Sequence, residues 1–300
     1  MAQHFAHLSD PHLSTLEGVS FSDLLSKRAL GYLSWKRKRR FEHRPEVLAA
    51  LQNDLDLQHL DQLLVTGDMT HIGLPGEFQQ AQHWLQQLGK PGDIALVPGN
   101  HDACVKAPWE TTFALWAEYM SSDEAADSLF PSLRVRGDIA FIGVNTGVPK
   151  PPLMATGTAG EAQLARVAGL LESTREQGLF RVLHLHHCPL GDKEKWRKRL
   201  TDARQLQALL TEKGAELIVH GHGHRKHQFT LATRDGDAPV ISVPSASALG
   251  LHGADVAGYN RYRVERNPEG WTLDIARREY DRGKNCFGAA GNETIQLARR

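Results

Sequence analysis

The stretch Ile94-Ala95-Leu96-Val97-Pro98-Gly99-Asn100-His101-Asp102 opens the reading of this chain. A short apolar run that ends in glycine and three polar residues reads as a buried strand delivering side chains at its C-terminal end. The Asn100 oxygen can ligate a hard cation without adding charge. His101 can then face a substrate, with Asp102 available to fix its tautomer. Four more apolar runs end in the same manner. Residues 4–8 lead to Asp10-Pro11-His12, 63–66 to Gly67-Asp68, 180–185 to His186-His187, and 216–220 to Gly221-His222-Gly223-His224. Asp10 and His12 leave one tight turn toward a single point. Alternation along an extended backbone sends His222 and His224 to one side. Asp68 is the natural bridge, because two cations about 3.5–4 Å apart repel unless an anion is shared between them. Two carboxylates, an amide oxygen and several imidazoles suit two hard-to-borderline divalent ions and not a soft thiolate site.

Composition narrows the class. The 35 basic and 35 acidic side chains cancel, so a general affinity for polyanions is not expected and local patches must carry any such argument. Cys104, Cys188 and Cys286 are too few and too scattered for a disulfide framework. Asp10 lies close to Met1, leaving no room for a signal peptide ahead of it, and no apolar stretch approaches the roughly 20 residues of a membrane span. A cytoplasmic protein, at most peripheral to the inner membrane, is the expectation. Three hundred residues suit one α/β domain over 1–300, since motifs from Asp10 to His224 must be assembled together.

Helical spacing is expected at 45–55, starting at Pro45, and at 77–88, ending at Gly89 as a C-cap. Further helices are expected at 109–119, 161–177 and 205–212, and a strand at 139–144. The short alternating runs 228–233, 239–243, 259–265 and 271–277 suggest an antiparallel sheet. Between the first strand and the first of these helices lies a basic segment, 13–44. It holds Lys27, Arg28, the block Lys36-Arg37-Lys38-Arg39-Arg40, and Arg44. Phe21, Leu24, Leu25, Ala29 and Tyr32 are spaced for one helical face, with Leu33 and Trp35 alongside.

The ordered pattern D-x-H, G-D, G-N-H-D, H-H-x-P and G-H-x-H resembles the calcineurin-like metallophosphoesterase superfamily over essentially the whole chain. The resemblance implies an α/β fold: a four-layer α/β/β/α sandwich, a single domain with a basic helical insert after the first strand. It implies one metal on Asp10, His12, Asp68 and His224 and a second on Asp68, Asn100, His186 and His222. His101 would be the general acid, or the electrostatic partner of the leaving oxygen, with Asp102 beside it as a second catalytic residue. A metal-bridging hydroxide would attack phosphorus in line. The chain reads His186-His187-Cys188-Pro189 where the family often has His-His-Pro-Pro; the ligand is assigned to His186, three positions before Pro189. His187 is then a neighbour facing the substrate, and Cys188 a small buried filler. His184 and His220 are read as strand histidines or outer partners of the ligands, His71 as a loop histidine or cleft lining, and His227 as structural or solvated.

The expected activity is a metal-dependent phosphoric ester hydrolase acting on a small anionic phosphodiester, nucleotide-type or pyrophosphate substrate. The resemblance is strongest to the bacterial cyclic-nucleotide and glycerophosphodiester branch. A UDP-2,3-diacylglucosamine pyrophosphohydrolase of lipid A synthesis is the alternative, ahead of a DNA nuclease or a non-catalytic binding module. Manganese or iron is expected, with zinc and cobalt compatible. Segment 13–44 is either a solvated helix capping the core or a lid whose cations meet an anionic substrate or a membrane surface. Nucleic acid is not the expected partner.

Overall fold

Two-residue alternation and continuous apolar runs build two six-stranded sheets. The computed structural model describes residues 2–13, 15–16, 18–56 and 59–298. Its strands are β1 (Gln3–Leu8), β2 (Gln62–Val65), β3 (Ile94–Leu96), β4 (Ser132–Arg136), β5 (Ile139–Val144) and β6 (Phe180–Leu185). They continue with β7 (Leu217–His220), β8 (His227–Thr233), β9 (Gly236–Ser242), β10 (Gly258–Asn267), β11 (Gly270–Asp281) and β12 (Cys286–Ala298). The helices are α1 (Arg28–Ser34), α2 (Arg40–Glu42), α3 (Pro45–Asp56), α4 (Pro75–Leu88), α5 (Ala117–Met120), α6 (Glu161–Glu176) and α7 (Ala203–Lys213).

One sheet runs β12-β11-β10-β1-β2-β3 and the other β4-β5-β6-β7-β9-β8. They meet through Phe5, Leu64 and Ala95 on one side and Phe141, Val182 and Val219 on the other. The apolar stripes of α3 and α4 (Val47, Leu51, Phe78, Leu85) cover the outer face of the first sheet. Those of α6 and α7 (Val167, Leu171, Leu206, Leu210) cover the second. The order of layers is therefore α/β/β/α. Strands β1, β2 and β3 are mutually parallel, as are β5, β6, β7 and β9. Parallel neighbours end on the same edge, so the loops after β1, β2, β3, β6 and β7 gather at one rim. No helix among the described residues is long and apolar enough to cross a membrane.

Several local expectations need correction. The alternating C-terminal runs do not form one antiparallel sheet: the β8–β9 hairpin joins the second sheet, with β9 parallel to β7, while β10 and β11 join the first. β12 completes that edge. Residues 109–119 form short 3-10 turns (Trp109–Thr111, Phe113–Trp116) before the brief α5, because Thr112 takes a non-helical φ of −132°. Gly89 is the C-cap of α4 as expected, in an extended conformation (φ 172°) with its N–H donating to Leu85 O. In the insert, whose Ser14 and Glu17 lie outside the described residues, a 3-10 turn (Ser22–Leu24) stands apart from a continuous helical stretch in which α1 passes through a π-helical turn (Trp35–Arg39) into α2, so Phe21, Leu24 and Leu25 do not share the helix of Ala29 and Tyr32. Leu24 and Tyr32 pack with Leu16, Trp35, Ile72 and Leu74, whereas Phe21 and Leu25 are 81% and 72% exposed.

Candidate functional site

Five strand ends converge at the rim, and their backbone is unusual. Asp10, His12, Asp68, His222 and His224 all have positive φ, from 44° to 70°. Left-handed backbone at a non-glycine residue costs of order 1 kcal/mol or more and clusters where surrounding structure enforces it for function. Glycines make the close approach feasible. A Cβ on Gly99 would stand 2.1 Å from Asp68 Oδ1, and one on Gly221 would stand 1.8 Å from Ser9 Oγ.

The donor atoms of Asp10, His12, Asp68 and His224 all lie within 4.8 Å of one another, and so do those of His186, His187 and His222. His186 Nε2 is 3.4 Å from Asp68 Oδ2 and 3.2 Å from Asn100 Oδ1, which links the two groups. The imidazole tautomers are set by backbone carbonyls. His12 Nδ1–H donates to Thr70 O (2.9 Å) and His186 Nδ1–H donates to Thr66 O (2.6 Å). Each ring therefore turns Nε2 inward, the usual orientation of a metal-binding histidine. His12 Nε2 faces His224 Nε2 at 3.3 Å. The buried His222 Nε2 has no hydrogen-bond partner, and the buried Asp10 Oδ1 faces His224 Nε2 at 3.1 Å. Asp10 Oδ2 accepts from Ser9 Oγ–H (2.6 Å) and the His222 N–H (3.0 Å), which pins the carboxylate.

Charge points the same way. Burial pushes the His186 imidazolium down, but Asp68 and Asp10 outweigh it and raise the ring to about 9. Two buried carboxylates thus hold a proton that a metal cation would replace. Burial and neighbouring imidazoles keep His12 and His222 well below the usual range, in the neutral form that ligates. The residues present fit two divalent ions.

Neighbours of this cluster depart from the sequence reading. Asp102 does not orient His101: its carboxylate accepts from the Thr70 N–H (2.9 Å), Thr70 Oγ1–H (3.1 Å) and Gly99 N–H (2.9 Å). Burial and the nearby Asp68 raise its carboxyl to about 7. His101 Nδ1–H donates instead to the His71 carbonyl at 2.6 Å. His187 is buried and its ring is engaged within the protein, accepting from Thr146 Oγ1–H (2.8 Å) and donating to Ala155 O (3.3 Å). The His71 ring stacks on His12 with centroids 5.0 Å apart. Cys188 is buried, and burial lifts its thiol to about 12. His184 is buried with neither ring nitrogen hydrogen-bonded, while His227 is exposed.

Two residues of the insert were not singled out from sequence. Arg39 Nη1 lies 3.1 Å from His101 Nδ1. The His43 ring lies 4.5 Å from that of His12, and the two share a potential ligand group with His224. Arg39 stood inside a run of five cations with nothing to distinguish it; His43 belongs to no motif. Both line a cavity of about 490 Å³ with Asp68, Asn100, His101, His222 and His224, and Lys198 lines it too.

A family profile described as calcineurin-like phosphoesterase matches residues 3–226. The chain belongs to this family. It is accordingly a metal-dependent phosphoric ester hydrolase. A 3',5'-cyclic-nucleotide phosphodiesterase of Nostoc sp. is 23% identical over 229 residues, 74% of this chain and 78% of that protein. Among solved structures, purple acid phosphatase PPD1 from yellow lupin superposes with a TM-score of 0.61 at 12% identity, over 99% of this chain and 54% of the lupin protein. The chain thus spans about half the length of that enzyme. A dimetal phosphatase from Danio rerio gives a TM-score of 0.58 at 13% identity, with 99% of each chain covered. These likenesses show the fold.

Proposed function

We propose that the protein hydrolyses a phosphodiester or pyrophosphate bond in a small anionic, nucleotide-type substrate with the help of two divalent ions. Asp10, His12, Asp68 and His224 would hold one ion; Asp68, Asn100, His186 and His222 would hold the other. The observation that carries this reading is the position of Asp68. Its carboxylate belongs to the Asp10 group and also lies 3.4 Å from His186 of the other group. Held there, such ions supply Lewis acidity and an activated water. Manganese or iron is the first choice for an oxygen and imidazole set.

His101 is proposed to protonate the leaving oxygen through Nε2, since Nδ1–H is committed to the His71 carbonyl. Burial, followed by the Arg39 cation, holds the free ring down at about 4. The negative charge of a bound phosphate acts in the opposite direction and favours the protonated ring. Arg39, projecting into the same cavity, is proposed to clasp a non-bridging phosphoryl oxygen. Asp102 acts as a positioning residue, tying the His101 loop to Thr70. The 13–44 insert forms a wall of the cavity, as a lid would. The free Cys104, Cys188 and Cys286 suit a reducing compartment such as the cytoplasm. The Nostoc relative supports a diester over a monoester. An acylated pyrophosphate is the second reading, favoured by the apolar side chains exposed on the insert.

The test is a hydrolysis panel on metal-stripped protein reloaded with manganese. It comprises bis(p-nitrophenyl) phosphate, p-nitrophenyl phosphate, a cyclic nucleotide, a glycerophosphodiester, a lipid-linked UDP-sugar and single-stranded DNA. Diesters or the pyrophosphate should lead, elemental analysis should find two metals per chain, and chelation should abolish turnover. A preference for the monoester, or full activity with one metal, would refute the proposal.

A further inference from the structure

Two basic segments flanked or punctuated by aromatics, far apart in sequence, meet at the mouth of the cavity. The first is Trp35-Lys36-Arg37-Lys38-Arg39-Arg40-Phe41 of the insert. The second is Lys193-Glu194-Lys195-Trp196-Arg197-Lys198-Arg199, ahead of α7, and every residue of it except Glu194 is exposed. Lys38 and Arg39 line the cavity from one segment and Lys198 from the other. Loop 147–157 joins the insert to the second segment: Lys27 Nζ donates to Lys150 O (2.9 Å), and the Ala155 N–H donates to Arg197 O (2.9 Å).

Exposed apolar side chains concentrate on the same elements. Nine large hydrophobic residues among those described are exposed, and seven belong here. Five are on the insert, Phe21, Leu25, Leu30, Leu33 and Phe41; Leu153 and Trp196 lie on the adjoining loops. Singly exposed hydrophobics are ordinary, whereas seven of nine on the elements that reach one cavity mark a contact surface. Arg40 lies over the Phe41 ring and Arg197 over the Trp196 ring, at 4.6 Å and 4.9 Å. The chain's formal charge is zero, so these cations form a local field and not part of a general excess.

We infer that this collar docks the mouth of the site onto an anionic lipid bilayer. Apolar side chains enter the boundary between headgroups and acyl chains, while the cations lie against lipid phosphates. Nucleic acid shares the charge preference, but four of the seven exposed residues are leucines, which cannot stack on bases and do gain by entering hydrocarbon. A second copy of the chain would bring one cationic collar against another. Docking rests on the surface alone and does not depend on the proposed reaction. Where both hold, a phosphate in the headgroup layer reaches the cavity without leaving the membrane.

The experiment is co-sedimentation of the full chain with phosphatidylcholine vesicles and with vesicles enriched in phosphatidylglycerol. Binding should appear with phosphatidylglycerol and weaken as salt rises. Each cation near such a surface contributes roughly five-fold to partitioning. The triple variant Lys36→Ser, Arg37→Ser, Arg40→Ser should therefore lose on the order of 100-fold. A second variant, Phe21→Ser, Leu25→Ser, Trp196→Ser, should lose the salt-resistant part of the binding, while Trp109→Ser with Val135→Ser should bind as the parent does. Unchanged thermal midpoints and metal content in the variants would separate loss of docking from loss of folding. The proposal is overturned if the parent does not discriminate between the two vesicles. It is overturned equally if both collar variants bind like the parent, or if the collar binds single-stranded oligonucleotide or a second copy of the chain and no vesicle.

Discussion

Adding one methyl group at Gly99 tests whether the ligand turns are as tightly packed as they look. A Cβ built there stands 2.1 Å from Asp68 Oδ1, 2.5 Å from Asp68 N and 2.8 Å from Asp68 Cγ, against 3.4 Å for the onset of ordinary contact. Backbone and carboxylate are struck together, so no rotamer change relieves the clash, and Asp68 must retreat by about 1 Å. That carboxylate also accepts the His101 N–H at 2.7 Å, which would be carried along or broken. Overpacking of this kind costs about 1–3 kcal/mol of stability, enough to lower a melting temperature without unfolding the protein. Misplacement by about 1 Å at a reacting centre costs on the order of 100-fold in rate. Gly99→Ala should thus remain folded by circular dichroism, fall at least that far in turnover of a small diester, and bind fewer than two metals per chain. Gly92→Ala, with nothing within 4 Å of its Cβ, is the control and should be silent. Parent-like turnover with two metals in Gly99→Ala would mean that Asp68 does not sit where the chemistry needs it.

Other substitutions separate the remaining roles. His101→Gln should keep the metal content yet lower kcat by about 10²–10⁴-fold, more for an alkoxide than for a nitrophenolate leaving group; metal loss on elemental analysis would make His101 a ligand instead. Arg39→Gln should raise KM about ten-fold or more, because a charged hydrogen bond to phosphate serves ground and transition states alike; an unchanged KM would remove Arg39 from substrate binding. Far from the site, Asp235 pairs with the buried Arg181 at 2.8 Å. Burial raises its carboxyl, but Arg181 and Arg175 outweigh that and hold it below the usual value. Its stabilisation is therefore present above the ordinary carboxylate range and fades as pH falls through the lowered value. Asp235→Asn should cost about 1–3 kcal/mol at neutral pH in urea titrations, with the gap closing as pH falls below the ordinary carboxylate range; a gap independent of pH would refute the pairing.

The ligand turns were legible because parallel strands force their C-terminal ends to one edge, so Asp10, Asp68, Asn100 and His222 announce themselves by following apolar runs. Partner choice was not legible. Alternation in 228–243 and 259–277 marks strands, but nothing local says that β9 pairs with β7 while β10 pairs with β1. β12 escaped notice because Gly288, Ala289, Ala290, Gly291 and Asn292 give it no apolar period. Asp102 follows His101 in sequence, yet the turn sends its carboxylate back to Thr70 and Gly99, so adjacency misled about contact. His43 reaches the centre because the chain around it pairs with the late segment at Ala248, a long-range bridge that no local pattern encodes.

The left-handed backbone at Asp10, His12, Asp68, His222 and His224 sets foldedness against activity at the level of single codons. Glycine adopts that conformation without penalty, so replacing His12 or His222 by glycine relieves strain while deleting a ligand. Alanine at the same positions keeps the strain and deletes the ligand, and an alanine scan would merge the two effects into one number. Selection of libraries for thermostability or expression alone should accordingly enrich glycine at these five positions. The survivors would be sturdier and inert, so a screen meant to improve this protein must read turnover from its first round.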